Sequence, residues 1–174
     1  MPKQNLQIAY IGPTAAGKRT NLRALAALLP DHIIEPRQQI WLGTGFEFYH
    51  DQLRLSYADR IITIKANHGA ILYQRHELLI LSEVEGVVFV LDSQLDKLAQ
   101  NIRLLRTSCG YLAQQGRLGQ IAKVIQFNKR DLHGMLSLSV LQRYCNAMNW
   151  PNIAASAAKQ HHIVETLDLL VRQC

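Results

Sequence analysis

The segment Gly12-Pro13-Thr14-Ala15-Ala16-Gly17-Lys18 lies between an apolar run at residues 6–11 and a helical pattern at 18–29. No other feature constrains the fold as strongly. Its glycines let backbone N–H groups turn inward, and a helix starting behind them adds positive potential, so the loop suits phosphate. Lys18 would reach the outer phosphates, and Gly12, Ala15, Ala16, Gly17, Lys18, Arg19 and Thr20 form the candidate phosphate-binding set. Behind the loop, Leu22, Leu25, Leu28 and Leu29 recur at helical spacing until Pro30 stops them.

Further along, segment types keep alternating. Residues 46–56 and 60–66 read as strands of an antiparallel hairpin, and 71–81 as a short helix. VVFVL at 87–91 is an unbroken apolar run, the mark of a strand buried on both faces. Residues 94–115 predict a long helix with Leu98, Ile102, Leu105, Cys109 and Leu112 on one stripe. A strand at 122–127, a helix at 139–149, a short strand at 153–155 and a closing helix at 164–172 complete the pattern. The expected fold is α/β: a mostly parallel sheet, helices on both faces, one antiparallel edge strand from the hairpin, and ligands at the carboxyl ends of the strands. The length of 174 residues and the lack of any linker predict one domain spanning 1–174.

Composition excludes other classes. The chain is 48% apolar and 18% charged, a globular balance, and its net charge of +6 is scattered without a Lys/Arg block, which argues against nucleic-acid binding. No apolar run approaches the roughly 18 residues of a membrane span, and the N-terminus lacks a signal-peptide pattern. Three cysteines without CxxC spacing fit reduced thiols, so a cytoplasmic protein is expected.

A second chemical site follows the strand at 122–127. Asn128-Lys129-Arg130-Asp131 has the NKxD form, in which a carboxylate accepts from the N1–H and exocyclic amine of guanine. Adenine offers neither donor on that edge, and an unpaired buried carboxylate is costly. Lys129 would lie along the base plane, and Asn128 would tie this loop to the phosphate loop. Ser156-Ala157-Ala158 is the third piece; it resembles the SAK-type element whose backbone amides receive the guanine carbonyl. His161-His162 reads as a solvated loop, and Asp92 as a helix N-cap.

With these motifs in this order, the sequence resembles the Ras superfamily of small GTPases, most closely the bacterial gliding-motility (MglA-type) GTPases. GPTAAGK, EGVVFVLDSQ, IQFNKRDL and FEFYHDQLRL carry the resemblance. It implies a P-loop NTPase fold with a six-stranded sheet, GTP/GDP and Mg²⁺ as ligands, two nucleotide-sensing switches, and a roadblock-type (MglB-like) regulatory partner.

The same resemblance exposes departures. Arg19 stands where the pattern has a metal-binding Ser or Thr, and Thr20, about 100° further round the helix, is the remaining metal candidate. In Ala66-Asn67-His68-Gly69-Ala70 the γ-phosphate-sensing Gly69 is kept, but Ala66 replaces an Asp or Thr and Ala70 replaces the water-orienting Gln. Alignment through Asp51 puts Phe46 at the intrinsic arginine finger and Glu47 at a metal-binding Thr, with Thr44 three residues before. His68 is the candidate catalytic residue, with a plain surface role as its alternative. The expectation is a guanine-nucleotide-binding protein with weak or absent hydrolysis. Two alternatives stand beside it: an active polarity-switch GTPase whose missing groups come from elsewhere, and a nucleotide-free scaffold acting through protein contacts.

Overall fold

The structure is a computed structural model and describes residues 5–42, 48–67 and 74–174. Strand β1 (Asn5–Ile11) runs through the glycine-containing loop into helix α1 (Lys18–Leu28). Leu29 leaves helical geometry (φ −125°, ψ 50°) just before Pro30, which cannot continue a helix. There follow β2 (Ile33–Leu42), β3 (Phe48–Tyr57), β4 (Arg60–Ala66), α2 (Gln74–Glu83), β5 (Gly86–Asp92) and α3 (Leu98–Gln114). The chain ends through β6 (Ala122–Asn128), α4 (Leu138–Cys145), β7 (Asn152–Ala154) and α5 (Ile163–Val171).

The strands form one sheet in the order β2-β3-β4-β1-β5-β6-β7. β4, β1, β5, β6 and β7 run parallel, whereas β3 is antiparallel to both β2 and β4. The sheet therefore has seven strands where six were expected, and the antiparallel strand sits one place in from the edge. The extra strand is β2. Its pairing with β3 shifts register between Ile33 and Glu35 and again between Glu35 and Gln38, around Pro36. Proline is tolerated in a sheet at such an edge irregularity, where its missing N–H breaks no central ladder.

From β1 the chain crosses through α1 to the β2 edge, returns through β3 to β4, and then crosses past β1 through α2 to β5, so it changes side at β1. Ligands of open α/β sheets bind at such a reversal, outside the carboxyl ends of the strands. One face of the sheet is covered by α1 and α5 through Leu22, Leu25, Ile163, Leu167 and Leu170. The other is covered by α2, α3 and α4 through Ile80, Leu81, Leu105, Leu112 and Leu141. All seven residues of β5 are buried, as its apolar run requires of a central strand.

One buried polar network crosses the first face. Asn21 of α1 and Gln126 of β6 exchange two amide hydrogen bonds, each 2.9 Å. The Asn21 amide also donates to Gly17 O (2.9 Å), and that of Gln126 donates to Thr166 Oγ1 on α5 (2.9 Å). The loop before α1, strand β6 and the last helix are thus joined by side chains with no exposure.

Boundaries differ from expectation where local chemistry intervenes. α4 ends at Cys145, short of 149, because the Asn146 side chain donates to Trp150 O (2.8 Å) and accepts from Trp150 N (2.9 Å), closing a turn. A 3₁₀ turn at Leu95–Lys97 precedes α3, whose cap is Lys97; Asp92 does not cap it. The expected helix start at 71–73 and strand start at 46–47 lie outside the described residues.

Candidate functional site

The loop at 12–17 is built on one close approach and on left-handed backbone. A Cβ on Gly12 would lie 2.2 Å from the carbonyl oxygen of Val90, so only glycine lets β1 leave the sheet there beside β5. Gly17 has φ +103° and Ala15 φ +60°, left-handed geometry that folds the loop back before α1 begins at Lys18. No side chain caps α1, leaving its first N–H groups at the loop. Lys18 is buried, and its ammonium donates to Gly12 O and Pro13 O, both at 2.7 Å. Burial pulls its pKa down to about 8, partly opposed by the charge of Glu77.

Beside the loop lies an open cavity of about 350 Å³ whose wall includes Thr14, Gly17, Lys18, Thr20, Asp51 and Asn67. Arg19 also borders it but faces protein: its Nε pairs with Asp51 Oδ2 (2.7 Å) and its Nη2 donates to the Tyr49 hydroxyl (3.0 Å). Arg37 of β2 pairs with the other oxygen of Asp51. Buried Asp51 is therefore held between two guanidiniums, and α1 is tied to the β2–β3 pair.

On the other side of the loop, Asn128 ends β6 and reaches in two directions. Its Nδ2 donates to Ala16 O (2.8 Å), and its Oδ1 accepts from Ala157 N (2.9 Å). Lys129, at φ +67°, pairs with buried Asp92 at the end of β5 (2.7 Å). Asp92 also accepts from the backbone N–H of Gln94 (3.1 Å), the turn that side chain makes in place of a helix cap. Exposed Asp131 accepts from Ser156 Oγ (2.5 Å), and that hydrogen bond holds its carboxyl below the usual range. Ser156 and Ala157 are buried while Ala158 faces solvent.

The structure thus brings together Gly12, Ala15, Ala16, Gly17, Lys18, Arg19 and Thr20 at one end, and Asn128, Lys129, Asp131, Ser156, Ala157 and Ala158 at the other. The Asn128 side chain joins the two groups. Thr44, Phe46, Glu47, His68, Gly69 and Ala70 lie outside the described residues. His162 contacts Ala154 O through Nδ1 (2.7 Å). Among the described residues no cluster of three His, Cys, Asp or Glu is arranged for a metal, and no helix is long and apolar enough to cross a membrane.

Several residues here were invisible to sequence reasoning. Asp51 had served only to set an alignment, and Arg37 lay in the unpredicted β2. Glu77 of α2 is buried and accepts from Asn67 Nδ2 (2.6 Å) and Ser108 Oγ (2.9 Å). Burial pushes its carboxyl upward, opposed by the Ser108 hydrogen bond and by Lys18. A polar Ser108 inside the apolar side of α3 was the one available signal.

No family model matches the chain. Over 177 aligned positions it is 31% identical to the mutual gliding-motility protein MglA of Myxococcus xanthus (strain DK1622), covering 97% of this chain and 89% of that protein. The chain belongs to the MglA-type gliding-motility family of Ras-superfamily small GTPases.

Proposed function

We propose that this protein is one G domain that binds GDP and GTP as a switch-like protein and hydrolyses GTP slowly or not at all. The observation that carries the reading is the Asn128 bridge between Ala16 and Ala157. It fixes the spacing between a phosphate cradle and a base-reading loop, which a nucleotide must span. Asp131 would take the two donors on the guanine edge, with Ser156 orienting one of its oxygens. Lys129, held by Asp92, would border the base, and the Ser156–Ala158 amides would receive the guanine carbonyl. Lys18 would exchange its two backbone carbonyls for phosphate oxygens, a stronger charge-assisted pairing.

The family implies Mg²⁺ beside the phosphates, and the side chains described around the cavity offer it no free carboxylate, only the neutral oxygens of Thr14, Thr20 and Asn67. Lys18 and Arg19 are cations, and the one carboxylate of the wall, Asp51, is already engaged by Arg19 and Arg37. Thr20 is the remaining oxygen donor of the original expectation. Turnover needs an oriented water and stabilised phosphoryl charge. Ala66, Ala70 and Phe46 supply neither, which supports binding without efficient hydrolysis. A roadblock-type, MglB-like protein is the proposed partner, acting in the cytoplasm.

Two measurements test this reading. Denaturing purified protein and chromatographing the released material should yield guanine nucleotide. Single-turnover phosphate release should run no faster than about 10⁻⁴ s⁻¹ alone. Rapid release would transfer the reaction to a group such as His68.

A further inference from the structure

Helix α3 carries two stripes, and only one of them is sealed in the core. Asn101, Leu105, Ser108 and Leu112 face inward and are buried. Ala99, Ile102, Arg103, Arg106 and Cys109 form the neighbouring stripe at helical spacing, half-buried or exposed. Two open hollows, of about 300 Å³ and about 450 Å³, run along it and share Ile102 and Arg106. The first lies between α3 and the end of α4, over Leu105, Cys109, Tyr144, Cys145, Met148 and Trp150. The second continues past Ala99, Arg103 and Thr107. From residue 99 to 109 this groove follows α3 for about 15 Å, close to three helical turns.

The floor of the groove is fixed and apolar. Trp150 stacks on Phe89 of β5, ring centres 5.9 Å apart, and its backbone is held by the Asn146 amide. Burial pushes the thiols of Cys109 and Cys145 up to about 11, so both stay neutral. The rim is cationic. Arg103 and Arg106 are exposed and have no ion-pair partner among the described residues, whereas Arg19, Arg37 and Arg54 each face a carboxylate. Arg143 of α4 lies over exposed Tyr144, 5.8 Å from the ring centre. Between residues 98 and 164 the sequence has one carboxylate, Asp131, and that one is bonded to Ser156.

We infer that this groove is a docking site for an acidic amphipathic helix of a partner protein. Apolar side chains of that helix enter the hollow over Trp150, and its carboxylates pair with Arg103 and Arg106. The two arginines stand one turn apart on α3, so they meet carboxylates one turn apart on the docked helix. Trp, Tyr, Met and Arg are also the residue types that protein interfaces enrich. The length of the groove suits a helix laid along it better than a compact small molecule. A bilayer takes up projecting apolar side chains, and this lining is concave. A second copy is disfavoured, because each copy carries +6. The groove shares no residue with the wall of the phosphate cavity or with Asn128–Asp131, so the inference stands independently of the nucleotide reading.

Random displayed peptides of roughly 16 residues, long enough for four helical turns, are selected against the whole chain. Enriched peptides should carry Leu or an aromatic residue together with Glu or Asp at helical spacing. One such peptide should shift the amide resonances of Ile102, Arg106, Cys109 and Met148 and leave those of Gly17 and Lys18 in place. Its binding should weaken with added salt. The double variant Arg103→Glu, Arg106→Glu should lower affinity at least about tenfold at an unchanged melting temperature. Replacing the peptide's carboxylates with Lys should restore binding to that variant, which damage to the fold could not do. Met148→Glu, on the exposed rim, should weaken binding as well. No enrichment, enriched peptides without carboxylates, or binding indifferent to the charge reversal overturns the proposal. Phosphatidylserine vesicles held through Arg103 and Arg106 more tightly than any selected peptide, or a dimer lost in the double variant, overturns it in favour of a membrane or a second copy.

Discussion

A Cβ on Gly17 would lie 2.2 Å from the side-chain nitrogen of Asn128. The turn of the phosphate loop and the seat of the base-side asparagine are thus one steric unit. Gly17→Ala adds left-handed strain at φ +103° and pushes Asn128 off Ala16 and Ala157. The expected loss is about 2–3 kcal/mol, one contribution from backbone strain and the rest from two hydrogen bonds. At this chain length the melting temperature should fall by roughly 4–12 °C. Calorimetric unfolding of the variant checks it, and a melting point within a degree of the parent would contradict the unit.

Base selectivity should reside in Asp131. GDP should bind at least about 100-fold tighter than ADP, as for other sites that leave a polar group unpaired with the wrong ligand. Asp131→Asn should erode the preference. Competition titrations with both diphosphates decide the matter, and equal affinities would remove the guanine reading.

The Arg19–Asp51 pair predicts weak dependence on magnesium. With Arg19 at the usual metal-ligand position and the one carboxylate of the cavity wall taken up by Arg19 and Arg37, EDTA should change GDP affinity by less than about tenfold. Arg19→Thr should make binding magnesium-sensitive while freeing Asp51 from one of its two cations. A large EDTA effect on the unmodified chain would show that its metal site survives.

Lys18 predicts a slope on the alkaline side. In the nucleotide-free chain burial lowers it to about 8, so above that pH it loses its proton. A bound phosphate raises it again, and binding then takes up a proton. GDP affinity should therefore fall as pH rises from 7.5 to 9, by up to about tenfold per unit once Lys18 is neutral. Lys18→Met should bind weakly and lack this slope. Titration calorimetry across that range, at fixed ionic strength, measures both.

The sequence made most of the fold legible because strong local signals agreed with tertiary burial. The phosphate loop, the unbroken run of β5 and the Leu spacing of α1 each have one physical solution. β2 had no such signal: IIEPRQQIWL mixes polar residues and a proline, and only pairing with β3 makes it a strand. On the site, motif residues fixed in spacing along the chain could be read. Partners brought in by folding could not. Arg19 looked like a lost metal ligand beside phosphate or solvent; Asp51, more than thirty residues away, takes its guanidinium. Glu77 resembled any helix-start carboxylate until Asn67 and Ser108 closed over it.

The paired carboxamides of Asn21 and Gln126 carry an evolutionary consequence. Each satisfies the other through two hydrogen bonds in a place water does not reach, so replacing one alone strands the acceptor and one donor hydrogen of its mate. Exchanging both for apolar side chains of similar volume removes that mutual debt and leaves only the bonds to Gly17 O and Thr166 Oγ1 unreplaced. Lineages descending from this chain are therefore expected to inherit the two amides together or lose them together. A descendant caught between would be a folding-impaired intermediate, and the crossing is passable only with stability held in reserve elsewhere.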